Sequence, residues 1–340
     1  MHSELLFTTQ SDGRKSSDAH MSPKQEQTKR KLSVSAGRGT WIETLDRFFM
    51  APGDLRMMNV VRIACGCLIL LRFLQMWPQR HAWFGPAGVI SHELFEAILE
   101  KEYWTIFDFI PRTDTGVTVC FLIIICAAVS LALQILCRWS ALLLLIMMTG
   151  LQASNSMLFA GSDTVMRMFT FFLFLLPAPD KIRHSTDASK NRFPVWPMRL
   201  FQLQVCLVLF SAGISKLETD SWLNGDALYY AFRLQQLTLV PLPGVITENI
   251  TVLKLLTWSV LVVEIFTPIF IWFRKTRLIA LVLVFALHFG CMYALNLVWF
   301  QSIMLVGWMS FLTFDDLTQM KNVFRKRSRS VTVVPSPSKS

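Results

Sequence analysis

Residues 252–295 read VLKLLTWSVLVVEIFTPIFIWFRKTRLIALVLVFALHFGCMYAL. Two apolar runs, 252–273 and 277–295, flank Arg274-Lys275-Thr276, and each is long enough to cross the ~30 Å hydrocarbon core of a bilayer as a helix. So short a connection makes the two expected helices antiparallel neighbours. Glu264 and His288 lie near the middle of their runs, at similar depth counted from the shared turn. A charge or imidazole there is costly in lipid, so both are expected to face the bundle interior and to meet directly or through water. A buried histidine is as often a hydrogen-bonded core residue as a functional one.

The same pattern continues outward. Of the 340 residues, 53% are hydrophobic and 16% charged, and the net charge of +10 is concentrated at the two ends. Apolar length predicts eight membrane-spanning helices at about 58–77, 116–136, 139–158, 164–178, 196–217, 252–273, 277–295 and 297–313. The expected fold class is therefore an all-α polytopic membrane helix bundle. Residues 1–40, with Arg14-Lys15 and Lys29-Arg30-Lys31, lack the apolar core of a signal peptide and read as a disordered basic tail. Residues 41–315 form the transmembrane domain, and 316–340 a second basic tail. Such a charge distribution points to topology and lipid contact and excludes a nucleic-acid partner. The seven cysteines lie in or at the ends of apolar runs, without disulfide or metal spacing, and are read as small hydrophobes.

With the N-terminus cytoplasmic, the cytoplasmic segments hold 23 Lys and Arg and the outer connections 4. That partition follows the positive-inside rule and puts both termini in the cytoplasm, in an inner or plasma membrane. The two long outer connections, 78–115 and 218–251, carry Trp83, Tyr103, Trp104, Trp222, Tyr229 and Tyr230. Their aromatic residues either anchor at the headgroup level or form a lid over an outward-opening site.

Other charges fall within or at the ends of spans. Asp163 and Arg167, four apart, can pair on one helical face. Arg62, Arg72, Arg199 and Lys254 lie close to helix ends and can snorkel. Lys216 closes the run Ser211-Ala212-Gly213-Ile214-Ser215-Lys216, whose small residues let a helix or ligand approach the backbone. A lysine packed there either snorkels or, losing hydration, becomes a usable general base.

The run Ala212-Gly213-Ile214-Ser215-Lys216-Leu217 followed by Trp222-Leu223-Asn224-Gly225 resembles the signature of the HTTM family, the membrane part of vitamin K-dependent γ-glutamyl carboxylase and its bacterial relatives. Phe84-Gly85-Pro86-Ala87-Gly88-Val89, the stretch Asn155–Gly161 and His288 agree in order and spacing, so the similarity covers roughly 45–315. The resemblance implies that Lys216 is the base that deprotonates a reduced vitamin K-type quinone, with His288 near it as a second catalytic residue. Gly213, Trp222, Glu264, Asn155 and Ser156 are then expected around the quinone or substrate pocket, and a glutamate-bearing peptide is the implied carboxyl acceptor. Two departures accompany it: the carboxylases have a histidine where this chain has Ser156, and no lumenal domain is expected after the last span. The alternatives are a non-enzymatic membrane scaffold or subunit and a small-molecule transporter.

Overall fold

The computed structural model describes residues 41–89, 104–179, 193–313 and 316. The basic tails expected over 1–40 and 316–340 lie outside them, apart from Asp316. Two compact units divide after Phe48, and the described part of the first, residues 41–48, is helical. The second unit is a helix bundle.

A helix stands at each of the eight expected positions: α1 (Arg56–Met76), α2 (Asp114–Ala132), α3 (Cys137–Ser154), α4 (Gly161–Leu175), α5 (Trp196–Lys216), α6 (Ile250–Phe270), α7 (Arg277–Ala294) and α8 (Val298–Met309). Local chemistry sets several of their ends. Thr113 Oγ1 accepts from Gly116 N at 3.1 Å to start α2, and Asn249 Oδ1 accepts from Val252 N at 3.2 Å to start α6. Pro197 occupies the first turn of α5, where its missing N–H has no helical partner to lose. The turn from α2 to α3 is tight enough to hold Gln134 and Leu136 in the left-handed region, at φ 61° and 45°.

Six of these helices are long and apolar enough to cross a membrane, the first continuing through short turns to Phe84. Helices α4 and α8, at 15 and 12 residues, are shorter than a bilayer core requires. The expectation of eight spans is thus matched by eight helices, six of spanning length.

Successive helices pack in pairs, α1 on α2, α2 on α3, α3 on α4, and α5 on α6 on α7. Helix α8 is wedged in the middle, touching α1, α4, α5 and α7. Gly307 permits this: a Cβ there would stand 2.9 Å from both Phe169 of α4 and Val205 of α5. Between helices in lipid the attraction is close packing rather than the expulsion of water, so a missing side chain at such a crossing matters directly. Trp308 of α8 is fully buried, whereas Val262, Phe266, Val282 and Phe289 of α6 and α7 are about half exposed. An apolar exterior of this kind faces lipid.

At the end of the bundle that carries the Arg274–Arg277 turn, the basic end, β1 (Pro52–Gly53) pairs antiparallel with β2 (Phe193–Pro194). That two-residue ladder ties the entry of α1 to the entry of α5.

Candidate functional site

Lys216 is the last residue of α5, and what it reaches is decided three residues earlier. A Cβ on Gly213 would lie 2.9 Å from Ile265 Cγ1 and 3.1 Å from Glu264 Cβ, so α5 and α6 touch backbone to side chain at this point. Glu264 sits about two-thirds of the way along α6. Pro268, four residues on, lacks the N–H that would bond the Glu264 carbonyl, which loosens the helix at this level.

Lys216 Nζ donates to Glu264 Oε2 at 2.7 Å and to the Ala212 carbonyl at 3.3 Å, and it stands over the Trp222 ring, 5.2 Å from the centroid. The side chains are 23% and 11% exposed, which makes this a largely desolvated ion pair with an aromatic cover. Trp222 belongs to the short helix Asp220–Leu223, held against α6 by Trp258 Nε1 donating to the Leu223 carbonyl at 3.0 Å. The chain then turns through Gly225 at φ +81°, where a Cβ would meet Lys254 and Trp258. Lys254 pairs with Asp226 at 3.5 Å, a bridge whose two side chains are each a little over one-third exposed.

Near the pair, α6 and α7 bound an almost wholly apolar cavity of about 410 Å³, lined by Val260, Val263, Leu287, Gly290 and Cys291 and covered by Leu228, Phe232 and Ile246 of the connection between α5 and α6. The cover is fastened to the end of α7: Leu239 N donates to the Ala294 carbonyl at 3.0 Å and Asn296 N to the Leu237 carbonyl at 2.7 Å. Neither Lys216 nor Glu264 lines this cavity; the link between them is Cys291, which lines it and lies within electrostatic reach of both.

His288 is buried, as expected, but its partners are on α8. Trp308 Nε1 donates to His288 Nε2 at 3.0 Å, which leaves Nδ1 as the protonated nitrogen that donates to Gln301 Oε1. Gln301 and Trp308, seven apart, share one face of α8. The expected contact between Glu264 and His288 is therefore replaced by two separate networks. The close approach at Gly213 draws Glu264 toward α5, and α8 covers the ring of His288.

Asn155 and Ser156 directly follow the end of α3. Asn155 is buried and its Nδ2 donates to the Trp83 carbonyl at 3.2 Å, while Ser156 is exposed. Among the described residues no hydrogen bond or ion pair joins either to Lys216. Asp163 also departs from expectation. Its carboxylate takes Arg72 of α1 at 2.8 and 3.1 Å, not Arg167, and accepts from Ala160 N at 3.0 Å. It stands in the first turn of α4 and is fully buried, which turns it toward α1. Sequence reasoning passed over Gln301, a lone amide in the apolar run of α8 that marks the partner of His288, and Cys291, which nothing in the sequence distinguishes from the other cysteines.

The family model described as the HTTM domain matches residues 50–315. The chain belongs to the HTTM family. The match covers all eight helices, and with six of them of spanning length this HTTM protein is a multi-pass integral membrane protein whose apolar helices contact lipid. No curated protein and no solved structure matches the chain.

Proposed function

We propose that the Lys216–Glu264 pair is the proton-handling centre of a membrane enzyme that deprotonates a reduced quinone, with Lys216 as general base and the nearby apolar cavity as the quinone site. The observation that carries this reading is a desolvated ammonium–carboxylate pair within electrostatic reach of Cys291, which lines a cavity of about 410 Å³, within the range of small-molecule sites. Val260, Val263 and Leu287 would hold an apolar ring, and the cover over 228–246 would keep water from it. A bound hydroquinone supplies an acidic ring hydroxyl whose anion reacts with oxygen. As an ion pair Lys216 cannot accept a proton, so its ammonium must first pass one to Glu264 Oε2, 2.7 Å away. The resulting amine then takes the hydroxyl proton and, as an ammonium, stabilises the anion. Glu264 thereby acts as the proton store for the base.

In this reading the chain crosses the membrane eight times, with both termini cytoplasmic and Lys216 toward the outer side. Its support is the partition of Lys and Arg over the connections.

Quinone-dependent oxygen consumption by the purified protein tests the function. Lys216→Met and Lys216→Arg should both lower it by roughly 10²–10⁴-fold, because guanidinium keeps the pairing charge but stays protonated. Activity retained by Lys216→Arg would exclude the base. A second reading, a non-enzymatic scaffold, is favoured by the complete engagement of the ammonium by Glu264, Ala212 and Trp222, as a clamp between α5 and α6 requires. Wild-type protein inactive with both naphthoquinones and ubiquinones would favour the clamp.

A further inference from the structure

A second cavity, of about 300 Å³, lies at the basic end of the bundle and is independent of the quinone reading. It is bounded by β1, the first turn of α5, the end of α6, the start of α7 and residues 310–313 beyond α8. Arg199 of α5 and Arg277 of α7 both line it, within electrostatic reach of one another. Arg277 Nη2 donates to both oxygens of Asp316 at 2.9 Å, and Asp54, the other carboxylate on the rim, is bonded by Arg56 at 2.7 Å. Arg199 Nη1 donates to Gln202 Oε1 at 3.0 Å, and Gln202 Nε2 donates to the Ser310 carbonyl at 2.7 Å.

Ser310 supplies the deciding observation. It is 2% exposed, it lines the cavity, and among the described residues its Oγ has no hydrogen-bond partner. A buried hydroxyl in that state is a donor awaiting an acceptor. Met57, Met198 and Phe311 give the cavity an apolar wall facing the cations.

We infer that this cavity binds a phosphate-bearing group, with Arg199 and Arg277 on its oxygens and Ser310 Oγ donating to it. Two guanidiniums from separate helices match the bidentate geometry of a phosphate, Arg277 through N–H groups other than the Nη2 that Asp316 takes. The ends of the helices lie where phospholipid headgroups are found, and free phosphate can reach the same place from water.

Binding to full-length protein in neutral detergent separates these sources, with dioleoylphosphatidic acid, inorganic phosphate and, as the phosphate-free control, dioleoylglycerol as probes. Phosphatidic acid should bind, with affinity reduced about tenfold in Arg199→Gln. Ser310→Ala should weaken it severalfold, and Arg138→Gln, at the same end but outside the cavity, should leave it unchanged. Displacement of the lipid by millimolar inorganic phosphate would assign the site to the free ion, and its persistence would assign it to the headgroup; both support phosphate recognition. Equal binding of dioleoylglycerol, or wild-type affinity in Ser310→Ala and Arg199→Gln, would overturn the proposal. Ser310→Ala removes one unpartnered hydroxyl and should fold, so the test stands even if Arg199→Gln does not.

Discussion

Single residues in this bundle are held by pairings that cross between helices, and their energetics follow from burial. Asp163 is fully enclosed and its charge is matched by Arg72, so Arg72→Met leaves a buried carboxylate alone and should destabilise the protein by about 3–5 kcal/mol. The double change Arg72→Met with Asp163→Leu should recover most of that, short of about 1 kcal/mol for the lost bond to Ala160 N, while Arg167→Met should have little effect. Thermal unfolding in detergent measures all three. Outside the spans, Asp316 offers a pH test. Burial alone would raise its carboxyl, but hydrogen bonds from Thr313 and the charge of Arg277 outweigh this and hold it below the usual carboxylate range. A group depressed in the folded state stabilises above its unfolded value and loses that contribution as pH falls. The difference in unfolding temperature between wild type and Asp316→Asn should thus be complete above about pH 5 and shrink as pH falls below the ordinary carboxyl value.

Among the helices, the contact of α5 with α6 depends on one missing side chain. Gly213→Leu would drive a Cβ into Ile265 and Glu264, force the helices apart and stretch the Lys216–Glu264 bond. A loss of about 1–3 kcal/mol is expected from such overpacking, and on the enzymatic reading quinone-dependent oxygen uptake should fall with it. Gly290, on α7, is the contrasting case, since a Cβ there meets nothing within 4 Å. Gly290→Leu should fold normally while filling part of the cavity it lines, which on the enzymatic reading would raise the KM for quinone and leave the ion pair untouched. A variant with wild-type KM would detach the cavity from the chemistry.

Within the second unit the described helices form two groups joined around the short α8, with Lys254–Asp226 at one end and the Arg274–Arg277 turn at the other. Cysteine-accessibility labelling on a background without the seven native cysteines should find Lys275→Cys and Asp226→Cys reachable from opposite sides of the membrane only. Both labelled from one side would remove the eight-crossing model.

Apolar length alone located the helices: each expected span overlaps one, because a backbone in lipid has to close its hydrogen bonds within the helix whatever its neighbours are. Burial of Glu264 and His288 was equally legible, since a lone polar group in an apolar run must turn inward. Their partners were not. Depth along the membrane follows from counting residues, but the rotation of each helix and the helix that covers it depend on packing, here on Gly213 against α6 and Gly307 under α8. Those two crossings gave Glu264 to Lys216 and His288 to Gln301 and Trp308, and the first turn of α4 gave Asp163 to Arg72 rather than to its sequence neighbour Arg167. The sequence by itself determined which residues had to be buried; only the tertiary structure decided whom they met, because hydrophobicity sets depth while close packing at small residues sets contact.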